Sequence, residues 1–291
     1  MSPEAKAGLA TDAARSPEPP DIEGRRARID AIQQEIGMPR LARYGVAMKE
    51  DMIAGSGPHL HARQGRGKAP VLLNLHGGGF TVDAGSISEN AAVAALTGYR
   101  VVAVRYRLAP EHSFPAGVDD ALAVYRALLA DHDPARIGVY GTSAGAILSA
   151  ELVARLRAEH LPLPAALGFF SGTGDLGRAG DSVGLFADPA ALAATTAAYV
   201  GGGDPASPAM SPARGDLSGW PATLCVASTR DLLLSGTADF CRKLDAAGVD
   251  ARLVVFDGLP HAFWAYIDAP ESDEAMAVMA RFLSARMEGR K

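Results

Sequence analysis

Gly141-Thr142-Ser143-Ala144-Gly145 sets a serine between two glycines, each two residues away. The short strand pattern Ile137-Gly138-Val139-Tyr140 runs into it, and a long helix pattern, Ala144 to Glu159, runs out of it. A serine hydroxyl is a weak nucleophile until a base takes its proton. A sharp strand-to-helix turn suits that chemistry. It pushes the hydroxyl outward and sets it at a helix N-terminus, where the dipole favours developing negative charge. The flanking glycines let the turn close. The same pentapeptide pattern recurs at Gly180-Asp181-Ser182-Val183-Gly184, with no apolar strand before it and no long helix after it. Ser143 is therefore the expected nucleophile, and Ser182 is expected in a plain loop.

A second cluster, His76-Gly77-Gly78-Gly79-Phe80, closes the apolar run Val71 to Leu75. Three consecutive glycines cost backbone entropy. They make sense where amide N–H groups must face a ligand oxygen with no side chains in the way. Such a loop completes an oxyanion hole, with the amide after the nucleophile, here Ala144, as the other donor. Where a serine sits on such a turn, the acid and the histidine follow it in the chain. His76 precedes Ser143, so it reads as a residue that fixes its loop. His160 lies in the charged helix end Arg157-Ala158-Glu159-His160 and reads as solvated. His261 follows the strand pattern Leu253 to Phe256 through an expected turn at 257–260, where a base should sit. The acid should lie between Ser143 and His261, after a strand. Asp231 fits, and Asp257, four residues before the histidine, is the rival.

These residues need a scaffold. Strand patterns at 71–75, 99–106, 136–140, 165–170, 222–227 and 251–256 alternate with helix patterns at 119–129, 144–159, 238–247 and 274–287. Strands apolar on both faces argue for a mostly parallel sheet covered on both sides. The stretch 43–63 suggests two short strands. The stretch 172–219 carries one expected helix, about 189–200, and no strand. An insertion of that length between sheet strands is usually a lid or cap. At the N-terminus, residues 1–20 read as a mobile tail. A helix follows with Ile22, Ile29, Ile32 and Ile36 on one face, and Gly37 and Pro39 are expected to stop it. The expected division is 1–45 for tail and cap helix, 46–171 for the first part of a catalytic core, 172–219 for a cap insertion and 220–291 for the second part.

Composition narrows the class. The 291 residues are 48% hydrophobic and 21% charged, with a formal charge of −5, which excludes a disordered chain. Without a basic stripe, no nucleic-acid partner is expected. No run reaches the roughly 18 apolar residues of a membrane span, and residues 1–20 lack a signal-peptide core, so a cytoplasmic protein with no membrane partner is expected. Cys225 and Cys241 make neither a disulfide framework nor a metal site and are expected reduced and buried.

Together the glycine run at 76–80, Tyr106-Arg107-Leu108-Ala109-Pro110-Glu111-His112, the pentapeptide at 141–145 and Pro260-His261-Ala262-Phe263 resemble the bacterial hormone-sensitive-lipase-like esterases. The likeness runs from about Val71 to the C-terminus. It implies an α/β-hydrolase fold with a small helical cap, and carboxylic-ester hydrolysis by Ser143, Asp231 and His261. It also implies oxyanion donors at Gly78, Gly79 and Ala144, with Gly77 adjoining. Phe80 is expected against the substrate. No metal or organic cofactor is needed for this chemistry. Two departures stand out: Thr142 occupies a place where many relatives carry Asp, and Asp231-Leu232-Leu233 replaces the common Asp-Pro-Leu. The expected partner is a small ester of short to medium acyl chain. An amidase or deacetylase on the same triad, or a non-catalytic receptor on this scaffold, are the alternatives. A homodimer through the strand 251–256 is a further expectation, because an open apolar edge strand is a liability.

Overall fold

The computed structural model describes residues 1–15, 19–53, 58–62, 69–178 and 180–288. In chain order the elements are α1 (Pro3–Ala13), α2 (Ile22–Tyr44), β1 (Met48–Met52), β2 (Pro58–Ala62), β3 (Val71–Leu75), α3 (Asn90–Thr97), β4 (Arg100–Val104), α4 (Ala116–Asp131) and β5 (Ile137–Thr142). They continue with α5 (Ala144–Ala158), β6 (Ala166–Phe170), α6 (Asp181–Phe186), α7 (Pro189–Val200), β7 (Ala222–Arg230), α8 (Leu234–Ala246), β8 (Ala251–Pro260), α9 (Phe263–Tyr266) and α10 (Pro270–Met287).

Among the described residues eight strands form one sheet in the order β1-β2-β4-β3-β5-β6-β7-β8. The first two pairings are antiparallel and all the others parallel. This is the mostly parallel sheet that the alternation of strand and helix patterns implied, in the α/β-hydrolase arrangement that the resemblance implied. Successive residues of a strand face opposite sides of the sheet, and the two cores follow that rule. Leu73, Val139 and Phe169 pack with α4, α5 and α8 on one side, while Leu72, Tyr140 and Phe170 pack with α3 and α10 on the other. Both faces are covered, as near-continuous apolar strands require. Cys225 and Cys241 are free and buried. Among the described residues, no helix is long and apolar enough to cross a membrane.

Several expectations need correction. Residues 3–13 are helix, not tail. Ser2 caps the Ala5 amide at 3.0 Å, Pro3 opens the helix and Ala5 is fully buried, so tertiary contact stabilises a segment with no apolar stripe of its own. Pro17 and Glu18 lie outside the described residues. The next helix, α2, does not stop at Gly37 or Pro39 but runs on to Gly45, whose φ of 61° ends it. A proline forfeits one hydrogen bond there, yet Arg40 and Leu41 beyond it are buried. The four isoleucines are only half-buried, whereas Gln33, Gly37 and Arg40 form the buried ridge. Among its described residues the segment 172–219 holds two α-helices and a short 3-10 helix at Pro212–Arg214, and Ser182 lies in the first α-helix, not in a loop. Residues 257–260 belong to β8 and not to a chain-reversing turn: the strand bulges at Gly258, φ 77°, and pairs with β7 again at Arg230 and Pro260. Helices α3 and α9 were not anticipated.

Candidate active site

The glycine run, Ser143, Asp231 and His261 gather at the C-terminal ends of β3, β5, β7 and β8. In an open parallel sheet this is the edge where ligands bind.

Only Ser143 separates β5 from α5, so it alone makes the turn. Its backbone is at φ 58° and ψ −122°, a strained region for a residue with a Cβ. Two close approaches hold it there. A Cβ on Gly145 would lie 1.8 Å from the Leu75 carbonyl oxygen of β3. The Ser143 amide donates to the Phe170 carbonyl at 2.8 Å. The hydroxyl is thereby presented to His261, whose Nε2 lies 2.8 Å from Ser143 Oγ. The other ring nitrogen, Nδ1, lies 2.7 Å from Asp231 Oδ1. A carboxylate only accepts, so Nδ1 carries the proton and Nε2 is free to accept from the serine.

Asp231 is fully buried. Its Oδ1 also accepts from the Leu233 amide at 2.8 Å, and its Oδ2 accepts from the Ser171 hydroxyl. Burial alone would raise this carboxyl. The His261 imidazole, the Ser171 hydroxyl and the Leu233 amide outweigh it and hold the group below the ordinary carboxylate range. Ser171, at the end of β6 with φ 51°, was not singled out in the sequence. Its only signal was its place at a strand end between those of Ser143 and Asp231. The rival Asp257 is exposed on β8 and accepts from the Thr229 hydroxyl at 3.1 Å, away from the imidazole. His160 is exposed at the far end of α5.

The glycine run leaves β3 and bends back on itself. Gly78 has φ 117°, and a Cβ there would fall 2.1 Å from the Val82 carbonyl oxygen, so only glycine fits. Among the described residues no hydrogen bond uses the amide N–H of Gly78, Gly79 or Ala144. His76 braces the loop. It is buried, its Nδ1 is 2.8 Å from the Gly77 carbonyl, and its ring stacks on Tyr106 with centroids 4.2 Å apart. The Tyr106 hydroxyl donates to the His76 carbonyl at 2.8 Å.

A cavity of about 400 Å³ opens beside Ser143, with Gly79, Phe80, Ile147, Leu192 and Val200 among its walls. Phe80 stacks face to face on Tyr199 of α7 at 3.8 Å. Helix α7 and the irregular segment after β6 (Thr173 to Arg178) close the cavity over Ser143, whereas α1 and α2 contribute none of its described lining residues. Beneath the turn, Thr142 accepts from Trp264 Nε1 at 3.3 Å. Glu89, at the start of α3, is 2% exposed with no hydrogen-bond partner for either carboxyl oxygen among the described residues. Burial pushes its carboxyl up to about 8, against the weaker pull of the nearby Thr142 hydroxyl and Arg40 cation.

The profile of the α/β hydrolase fold family matches residues 72–265. An acetyl-hydrolase of Streptomyces hygroscopicus is 33% identical over 277 residues, covering 90% of each chain. An esterase of Acinetobacter venetianus is 30% identical over 225 residues, covering 73% of this chain and 74% of that one. Among solved structures, a hormone-sensitive lipase from a metagenome library superposes with a TM-score of 0.89 at 29% identity, over 99% of both chains. An esterase from the bacterial hormone-sensitive lipase family gives 0.84 at 29% identity, again over 99% of both.

Proposed function

The chain belongs to the α/β-hydrolase family, in its hormone-sensitive-lipase-like esterase branch, and from that membership we propose that it cleaves short- to medium-chain carboxylic esters through an acyl-enzyme on Ser143. The observation that carries this reading is the unbroken relay from Ser143 Oγ to His261 Nε2 at 2.8 Å and from Nδ1 to Asp231 at 2.7 Å. His261 takes the hydroxyl proton as Ser143 attacks the ester carbonyl, then returns it to the leaving alcohol. Asp231 holds the tautomer and stabilises the imidazolium. Its depressed carboxyl keeps it anionic throughout. The unengaged amides of Gly78, Gly79 and Ala144 stabilise the tetrahedral oxyanion. Water, activated by His261, then releases the acid and restores Ser143.

The largely apolar cavity beside Ser143 takes the acyl chain, with Phe80 as one wall. We assign the segment 172–219 the role of cap, since α7 supplies much of that wall. Acyl chains of about two to eight carbons suit a cavity of this size. The name of the Streptomyces relative, an acetyl-hydrolase, points to the short end of that range. A panel of aryl esters of rising acyl length tests the reading, with Ser143→Ala as blank. The expected result is highest kcat/KM on a soluble short ester and no turnover by the variant. Faster hydrolysis of emulsified long-chain lipids would overturn the substrate range.

The outer strand β8 is an open edge, and Leu253 and Val255 on it are 38% and 41% exposed. We assign it to pairing with a second copy of the chain. Light scattering at micromolar concentration should give the mass of a dimer, and a monomer would count against it.

A further inference from the structure

Helix α2 meets the site through polar side chains. Arg26, Gln33 and Arg40 recur every seven residues and so share one ridge. Arg26 Nε donates to the Thr81 carbonyl at 2.9 Å and Nη2 to the Ala109 carbonyl at 3.2 Å. The Ala109 amide donates in turn to the Phe80 carbonyl at 2.9 Å. A 2.7 Å ion pair with Glu111 orients the guanidinium. Gln33 Nε2 donates to the Asp83 carbonyl at 2.5 Å, and its Oε1 accepts from the Ile87 amide at 3.0 Å. Both residues therefore grip the stretch that follows the glycine run.

Arg40 grips the other side. It is 7% exposed. Nη1 reaches the carbonyls of Ser88 at 3.1 Å, Trp264 at 2.7 Å and Ala265 at 3.1 Å, and Nη2 reaches that of Ile267 at 2.9 Å. Three of those four carbonyls lie three to six residues after His261. The same short segment carries the Trp264 ring that donates to Thr142, next to Ser143, and the Tyr266 hydroxyl that donates to the His261 carbonyl at 3.0 Å. One buried side chain thus ties α2, the start of α3 and the segment carrying the base. A planar guanidinium fork can reach four diverging carbonyls, which a single ammonium cannot do in the same geometry.

Resting on the reading of His261 as the general base, we propose that Arg40 is a positioning residue for it, and that the Arg26–Gln33–Arg40 ridge makes α2 a splint that fixes the base segment and the oxyanion loop relative to each other. No described residue of α2 lines the cavity. Loss of the splint therefore leaves substrate binding in place and degrades the alignment of Ser143 with His261. A misplacement of about 1 Å from a distant change can cost about 100-fold in rate.

The test measures kcat per active site, counted by burst titration with an aryl ester, so that misfolded enzyme drops out. Arg40→Lys and Arg40→Ala should lower kcat per titrated site about 10- to 100-fold with KM within about twofold. Millimolar guanidinium should restore part of the Arg40→Ala loss and leave the parent unchanged. Arg26→Gln, at a half-buried position, should lower kcat per site severalfold through the oxyanion loop, and it decides the splint should the Arg40 variants not accumulate. Parent-like kcat per site in the variants that fold, or a loss carried by KM, overturns the proposal. Ser143→Ala and His261→Ala run beside them. If those two keep turnover, the triad reading itself fails. If they are dead while the ridge variants run normally, only the splint fails.

Discussion

Two Gly-x-Ser-x-Gly pentapeptides in one chain meet opposite fates. At 141–145 the serine is a strained hinge between strand and helix, its hydroxyl facing an imidazole. At 180–184 the serine is inside the short helix α6, and its hydroxyl is spent on structure: it donates to the Leu232 carbonyl at 2.9 Å and accepts from the Ser235 amide at 3.0 Å. The pentapeptide does not distinguish them. What differs is the apolar strand before the first, which buries its end in the sheet, and the backbone of β3, which presses on Gly145. A nucleophile here is a product of the sheet edge, and the second serine has no sheet edge.

The sharpest way to break that contrast is to remove each hydroxyl. Ser143→Ala should lower kcat on a soluble ester by 10⁴-fold or more, the order seen when a triad nucleophile is lost, with little change in melting temperature. Ser182→Ala should leave kcat near the parent value but cost about 1 kcal/mol of stability, because a half-buried carbonyl and amide lose their partner. Activity lost at Ser182 and kept at Ser143 would reverse the assignment. The acids divide in the same way. Asp231→Asn should lower kcat by up to about 10⁴-fold, since the amide holds the wrong tautomer. Asp257→Asn should cost about tenfold or less, as a disturbance of β8 away from the imidazole. A larger loss at Asp257 would move the acid there.

Much of this was legible because the chemistry sits on punctuated strand ends. Ser143, His261, Asp231 and the glycine run each close an apolar run, and the period-2 and 3.6-residue patterns place those runs. Elsewhere local pattern and tertiary demand diverged. In α2 the isoleucines marked the wrong face, because the carbonyls of segments 81–88 and 264–267 need donors, and Arg26, Gln33 and Arg40 supply them. Residues 257–260 carry turn-type residues and bulge at Gly258, but β7 takes the strand up again at Pro260, so the chain does not reverse. Helix α1 has no apolar stripe and forms against α10 and Ile267. Ser171 belongs to no motif, and only its strand-end position assigns it to Asp231.

The residues preceding the two serines sharpen the comparison further. Asp181 is exposed, whereas Thr142 is buried near the carboxyl of Glu89. An unfolded Glu89 loses its proton near 4.5, and the folded one near 8. Between those values the folded form binds more protons, so Glu89 makes stability fall as pH rises from about 4.5 through 8, levelling off about one pH unit higher. Glu89→Gln removes that slope. Its melting temperature should match the parent near pH 4.5 and exceed it by roughly 5 °C at pH 8. A difference independent of pH would mean that the carboxyl does not titrate in this range.

The smallest effect is expected at Gly184, the last glycine of the second pentapeptide, against the severe one at its counterpart Gly145. Gly145 cannot carry a Cβ without striking the Leu75 carbonyl at 1.8 Å, so Gly145→Ala must push β3 and α5 apart and should abolish folding or activity. Gly184 has the same place in its motif, lies inside α6 and is exposed, and a Cβ there meets nothing within 4 Å. Alanine in an exposed helix interior is favoured over glycine by about 1 kcal/mol. The gain comes mainly from the unfolded chain, which has fewer conformations to lose. Gly184→Ala should therefore raise stability by about 0.5–1 kcal/mol in urea titration and leave kcat unchanged. A destabilised Gly184→Ala would mean that the second pentapeptide is under a backbone constraint like the first, and the contrast between the two sites would narrow to their hydroxyls.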